Sequence, residues 1–114
     1  MNFKNNNSLE KRSEESKKIM KKYPNRVPII VEKSSKCSLN EISKNKYLAP
    51  RDLKMNEFVY TIRRNIKLDK SESIFVMVGT RISPSNVSLG EVYEENKDED
   101  GFLYVTYTSE NTFG

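Results

Sequence analysis

A chain of 114 residues with 35% hydrophobic and 32% charged residues has the length of one domain, and the patterned aromatic and branched residues from Tyr23 onward exclude global disorder. One cysteine and no histidine exclude an internal disulfide and a Cys/His zinc site, point to a reducing cytosol, and give no reason to expect a cofactor or metal. The net charge of +4 hides a polarity: residues 1–70 carry eighteen basic against eight acidic side chains and residues 71–114 carry two against eight, so the basic part is expected to attract acidic partners.

The opening stretch "MNFKNNNS" lacks the apolar core of a signal peptide and reads as loose; nowhere does an apolar run reach the roughly 20 residues of a membrane span. Residues 8–22 then read as a helix, with Ser8 as N-cap, Glu10 near its positive end and lysines near its negative end. Its apolar face is thin: Leu9, Ile19, Met20 and Tyr23. It is therefore expected to lie on a body that folds independently of it. "RVPIIVEK" supplies a strand over residues 27–31, with Pro28 marking an edge or bulge, and residues 34–43 read as a connection. "KYLAP", residues 46–50, is a second, short strand stopped by Pro50, as edge strands often are.

In "DLKMNEFVYTIRRNIKL", Leu53, Met55, Phe58, Ile62 and Ile66 recur at steps near three and four, the spacing of an amphipathic helix with one buried face. The continuous apolar run "SIFVMVG", residues 73–79, predicts a central strand covered on both faces. A turn and a short helix follow, with Val87, Leu89, Val92 and Tyr93 as its apolar positions. The last strand, "FLYVTYT", alternates Leu103, Val105 and Tyr107 with Phe102, Tyr104 and Thr106. Helix, two strands, long helix, strand, short helix, strand is the order of an α+β ubiquitin-like β-grasp with a helix added in front.

At this point the stretches "KIMKKYPNRVPIIVEK", "KYLAPRDL", "FVYTIRRNI" and "EVYEENKDEDGFLYVTYTSENTFG" resemble the autophagy ubiquitin-like modifiers typified by GABARAP and the microtubule-associated light chains. The resemblance runs from about Leu9 to the end. It implies a single ubiquitin-like domain over residues 1–114: two extra N-terminal helices in residues 1–25, a β-grasp core with a four-stranded mixed sheet in residues 26–108, and a flexible conjugation tail in residues 109–114. It also implies that Gly114 is the lipid-conjugation residue. In such modifiers an activating enzyme adenylates the glycine carboxylate and takes it as a cysteine thioester, and a conjugating enzyme passes it to the amine of phosphatidylethanolamine on autophagosomal membranes. A cysteine protease processes and deconjugates. The modifier supplies no catalytic group, and this chain is not expected to be an enzyme. Many such modifiers are made with extra residues beyond the glycine that the protease removes, and this sequence ends at Gly114.

The resemblance further implies a groove along the short strand at residues 46–50, where an extended aromatic-x-x-aliphatic peptide of a cargo receptor adds itself by backbone hydrogen bonds. Its first pocket maps onto Glu15, Ile19, Pro28, Lys46, Leu48 and Phe102, and its second onto Tyr47, Ala49, Pro50, Leu53, Phe58 and Ile62. Arg26, Lys44 and Lys46 would meet acidic residues flanking the motif. Thr61 and Ala49 are smaller or more polar than is usual in such a groove, so a roomier or more polar second pocket is expected, and Asn65 stands where a basic residue is usual. Read from the residues alone, Leu53, Phe58 and Ile62 are ordinary core and Cys37 is incidental. A non-conjugated basic module for tubulin, receptor tails or nucleic acid is the alternative, with "KKYPNR" and "IRRNIK" as its charge, although nucleic acid is not the expected partner.

Overall fold

The computed structural model describes residues 2–35, 37–69 and 71–109. In chain order it contains α1 (Phe3–Asn6), α2 (Leu9–Lys22), β1 (Arg26–Lys33), β2 (Lys46–Pro50), α3 (Met55–Asn65), β3 (Ile74–Val78), β4 (Arg81–Ile82), α4 (Leu89–Asn96) and β5 (Leu103–Ser109). The strands form one mixed sheet in the order β2-β1-β5-β3-β4. β1 and β5 run parallel, in register from Ile29 opposite Leu103 to Lys33 opposite Tyr107, and the remaining pairs are antiparallel. This is the β-grasp, with β2 at one edge as its length suggested.

Both faces of the sheet are covered, by different parts of the chain. On one face Val27, Ile29, Val31, Leu103, Val105 and Tyr107 meet the apolar stripe of α3 and its C-cap, formed by Met55, Phe58, Ile62 and Ile66, together with Leu89, Val92 and Tyr93 of α4. On the other face Ile30 and Phe102 meet Phe3 of α1, with Ile19 and Tyr104 packed against them. Residues 27–31 of β1 are consequently buried without interruption, because a strand covered on both sides has no water-facing position. Each large side chain so buried contributes about 1.5–3 kcal/mol relative to exposure.

Several expectations from the sequence are revised. The opening residues are not loose: Phe3–Asn6 is a helical turn capped by the Asn2 side chain, which accepts from the Asn5 N–H at 2.8 Å, and Phe3 is buried. The sheet has five strands rather than four, because Gly79, at φ 65°, allows a two-residue turn that pairs Arg81–Ile82 with the end of β3. β3 lies inside the sheet, between β5 and β4, but is not doubly covered. Only Val76 is buried there, and the cluster formed with the N-terminal helices takes in Ile30 of β1, Phe102 just before β5, Tyr104 of β5 and no residue of β3. Pro28 lies in an interior strand, at a point before the β5 register begins, where only β2 is paired with it. A missing N–H costs nothing on the open side.

Candidate peptide groove and conjugation tail

β2 offers one edge to β1 and, among the described residues, no strand lies along the other. Around that edge the structure gathers the residues of the first pocket from four elements. Pro28 sits opposite Leu48 in the β1–β2 register. Ile19 reaches in from α2, and Phe102 lies immediately before β5, on the face opposite Leu103 and Val105. Across the mouth, Lys46 Nζ stands 2.9 Å from Glu15 Oε2, tying the edge strand to α2. Phe102 is only 1% exposed and Pro28 is buried, whereas Ile19 and Leu48 are half-buried. The pocket is therefore closed over its base in this structure.

The second pocket is assembled differently. Tyr47, Ala49, Phe58 and Ile62 all belong to the main core, with Phe58 1% and Ile62 0% exposed, and the Tyr47 and Phe58 rings pack edge to face at 5.4 Å. Half-buried Leu53 and exposed Pro50 present the accessible part. Half-buried Thr61 donates weakly to the Glu57 carbonyl at 3.4 Å, and Asn65 turns back on its own helix to the Thr61 carbonyl at 2.9 Å. Burial pushes the Tyr47 hydroxyl up to about 12, and that hydroxyl has no hydrogen-bond partner. Arg26 and Lys44 are exposed, the Lys44 ammonium lying 5.1 Å from the Tyr47 ring centre. Gly114 lies outside the described residues; β5 runs through Ser109, the position from which the sequence reading begins its tail.

What holds α2 in place is a polar lock that pattern reading missed. Asp100 has a side chain with no exposure and accepts from Arg12 at 2.7 Å, from the Tyr104 hydroxyl at 2.5 Å and from the Phe102 N–H at 2.8 Å. Ser16 Oγ donates to the Asp100 carbonyl. Burial above all, and the neighbouring Asp100, hold Tyr104 well above the ordinary phenol value. Lys4 Nζ reaches Asp98 at 2.6 Å; burial alone would raise that carboxyl, but the hydrogen bonds from Lys4 and the Asp100 N–H and the Lys4 and Arg12 charges together lower it. In the sequence these residues were a turn in an acidic stretch and a lone Arg. Their only signal was an Asp-Gly pair after a helix.

Among the described residues no cluster of His, Cys, Asp and Glu could hold a metal ion, and no helix is long and apolar enough to cross a membrane. What the arrangement presents is an open strand edge flanked by apolar residues and lysines.

A family profile described as "Autophagy protein Atg8 ubiquitin like" matches residues 11–114. Autophagy-related protein 8e of Arabidopsis thaliana is 50% identical over 112 residues, covering 98% of this chain and 92% of the relative. Autophagy-related protein 8A of Oryza sativa subsp. indica is 51% identical, covering 98% and 94%. Among solved structures, Trypanosoma brucei ATG8 superposes with a TM-score of 0.93 at 34% identity, covering 100% of this chain and 98% of that one. Plasmodium falciparum Atg8, solved in complex with a Plasmodium falciparum Atg3 peptide, gives 0.87 at 30% identity, covering 96% and 98%.

Proposed function

The chain belongs to the Atg8 family of ubiquitin-like autophagy proteins, and we propose that it is a modifier whose Gly114 carboxylate is joined to phosphatidylethanolamine on autophagosomal and cytoplasmic vesicle membranes. In the cytoplasm the chain is free; once conjugated, two acyl chains hold it where a single chain binds only marginally. Five peptide units beyond Ser109 reach at most about 17 Å, enough to carry a side-chain-free terminus into the channel of an activating or conjugating enzyme. A deconjugating cysteine protease would reverse the step at the same bond.

The body's part is recognition. A cargo receptor or autophagy component adds an extended segment to β2, places an aromatic residue near Ile19, Leu48 and Phe102, and sets an aliphatic residue three positions later over Leu53 and Pro50. The observation that carries this reading is the convergence of α2, β1, β2 and the head of β5 on one open strand edge. The Atg3 peptide held by the Plasmodium relative supports conjugating machinery as a partner.

Mass spectrometry of the C-terminal peptide from membrane and soluble fractions tests the conjugation. Phosphatidylethanolamine on Gly114 in the membrane pool is expected. Gly114→Ala is expected to leave peptide binding intact and to remove the protein from membranes. An unmodified glycine in both fractions during starvation, with membrane association surviving Gly114→Ala, would move the function to a non-conjugated basic binding module.

A further inference from the structure

Phe3 occupies the neighbourhood that a ligand's aromatic residue needs. Its ring packs edge to face on Phe102 at 5.4 Å, it shares a buried cluster with Ile30, and the Lys46 ammonium lies 5.1 Å from its centre. Phe102 and Lys46 are two of the six residues assigned to the first pocket, and Ile19, a third, packs against the same cluster. Phe102 is 1% exposed, sharing its cluster with Phe3 and Ile30, with Ile19 and Tyr104 packed against it. We propose that Phe3 is the resident occupant of the aromatic pocket, so that a peptide binds only when the α1 turn lifts away.

The strap is built to be displaced. α1 is four residues long, too short to persist as a helix without tertiary support. Phe3 is its one buried residue; otherwise it is tied by polar contacts at or near the surface. These include the Phe3 N–H to Glu32 at 2.7 Å, the Lys4 to Asp98 pair at 2.6 Å, the Lys4 ammonium 4.6 Å from the Tyr104 ring centre, and Arg12 Nε to the Asn7 carbonyl at 3.1 Å. Few apolar anchors and exposed polar ties are the marks of a segment that opens locally at low cost. A ligand's aromatic ring would regain what Phe3 gives up: the edge of Phe102 and the ammonium of Lys46. A plug of this kind weakens every aromatic-x-x-aliphatic ligand by the fraction of time the pocket stands open. Weak motifs are thereby excluded and strong or multivalent ones admitted.

This inference rests on the groove reading above, and the test separates the two. The chain has no tryptophan, so the indole of an acetylated Glu-Glu-Trp-Glu-Glu-Leu peptide reports its own binding by fluorescence. Wild type, Phe3→Ala and Lys4→Ala are titrated at full length, with circular dichroism confirming each fold. If the open state is populated about one part in ten, Phe3→Ala binds roughly tenfold tighter. Lys4→Ala, which loosens the strap without touching the pocket, also gains affinity, and saturating peptide speeds trypsin cleavage after Lys4 in the wild type. Unchanged or weaker binding by the variants, with unchanged cleavage, overturns the plug and leaves the groove standing. If folded wild type and both variants all fail to bind, the groove reading falls and the plug with it.

Discussion

Asp100 receives three hydrogen bonds in a place where its side chain is wholly out of water, and two of the donors, Arg12 and Tyr104, come from separate elements. Removing one member of such a group leaves the others buried and unpaired, which costs more than the bonds contribute when intact. Asp100→Ala is expected to lower stability by about 2–4 kcal/mol, read by urea unfolding. Its neighbour Gly101 is at φ 92°, and a Cβ there would sit 2.5 Å from Ser16 Oγ. Gly101→Ala should therefore cost about 1–3 kcal/mol, with Ser16→Gly in the same chain recovering only the part due to the clash. None of this was legible in "KDEDG". Residue types identify a turn there, but a buried carboxylate is defined by partners 88 and 4 residues away. Phe3 was missed for the same reason. A single aromatic among asparagines carries no periodicity, so its burial is decided by a surface formed elsewhere in the chain.

At the scale of elements, the sequence was readable where a helix or strand buries one continuous face. The steps of three and four in α3 predicted its core side, and the alternation of β5 separated Phe102 from Leu103 and Val105. It misled where a face is covered unevenly. The apolar run of β3 looks like a doubly covered strand, yet its packing depends on how far the N-terminal helices extend, which β3 does not encode. α2 shows the converse. Its one buried residue is Ser16, Leu9 is 42% exposed, and Ile19 and Met20 are half-buried; α1 and α2 are both tied to Asp98, through Lys4 and Arg12, so the docking of the two N-terminal helices should respond to pH. Asp98 titrates below its ordinary value when folded, so the Lys4 tether adds stability above the ordinary carboxylate range and loses it as pH falls through and below about 4. Amide hydrogen exchange over residues 3–6 should accelerate there before the β1 and β5 amides respond. In the groove, Lys46→Glu with Leu48→Ala should weaken an aromatic-x-x-aliphatic peptide by about 2 kcal/mol or more, near thirtyfold, while lipidation continues. An unchanged peptide titration would remove the groove from this edge.

Across the whole molecule, the charge asymmetry of the sequence proves to be partly spent inside the fold. Lys4, Arg12 and Arg51 from the basic part pair with Asp98, Asp100 and Glu94 of the acidic part. The two ends of the chain thus hold each other, and a smaller share of the basic charge remains for partners than the count implied. Arg26 and Lys44 stay exposed beside the groove. Raising salt should slow association of an acidic-flanked peptide more than it speeds dissociation, as stopped-flow fluorescence would show. The parallel pairing of β1 with β5 has a further consequence, for the order in which the protein comes into being. β5 lies between β1 and β3, so the middle of the sheet is made last during synthesis. Until residues 103–109 have cleared the ribosome tunnel, β1 and β3 have no strand between them, and closure must span about seventy residues of chain, a slow kind of contact. An unfinished copy also lacks Phe102, the base of the proposed first pocket. On the proposed reading incomplete chains would be poor competitors for receptors, and the waiting strands are an apolar surface that chaperones would have to shield.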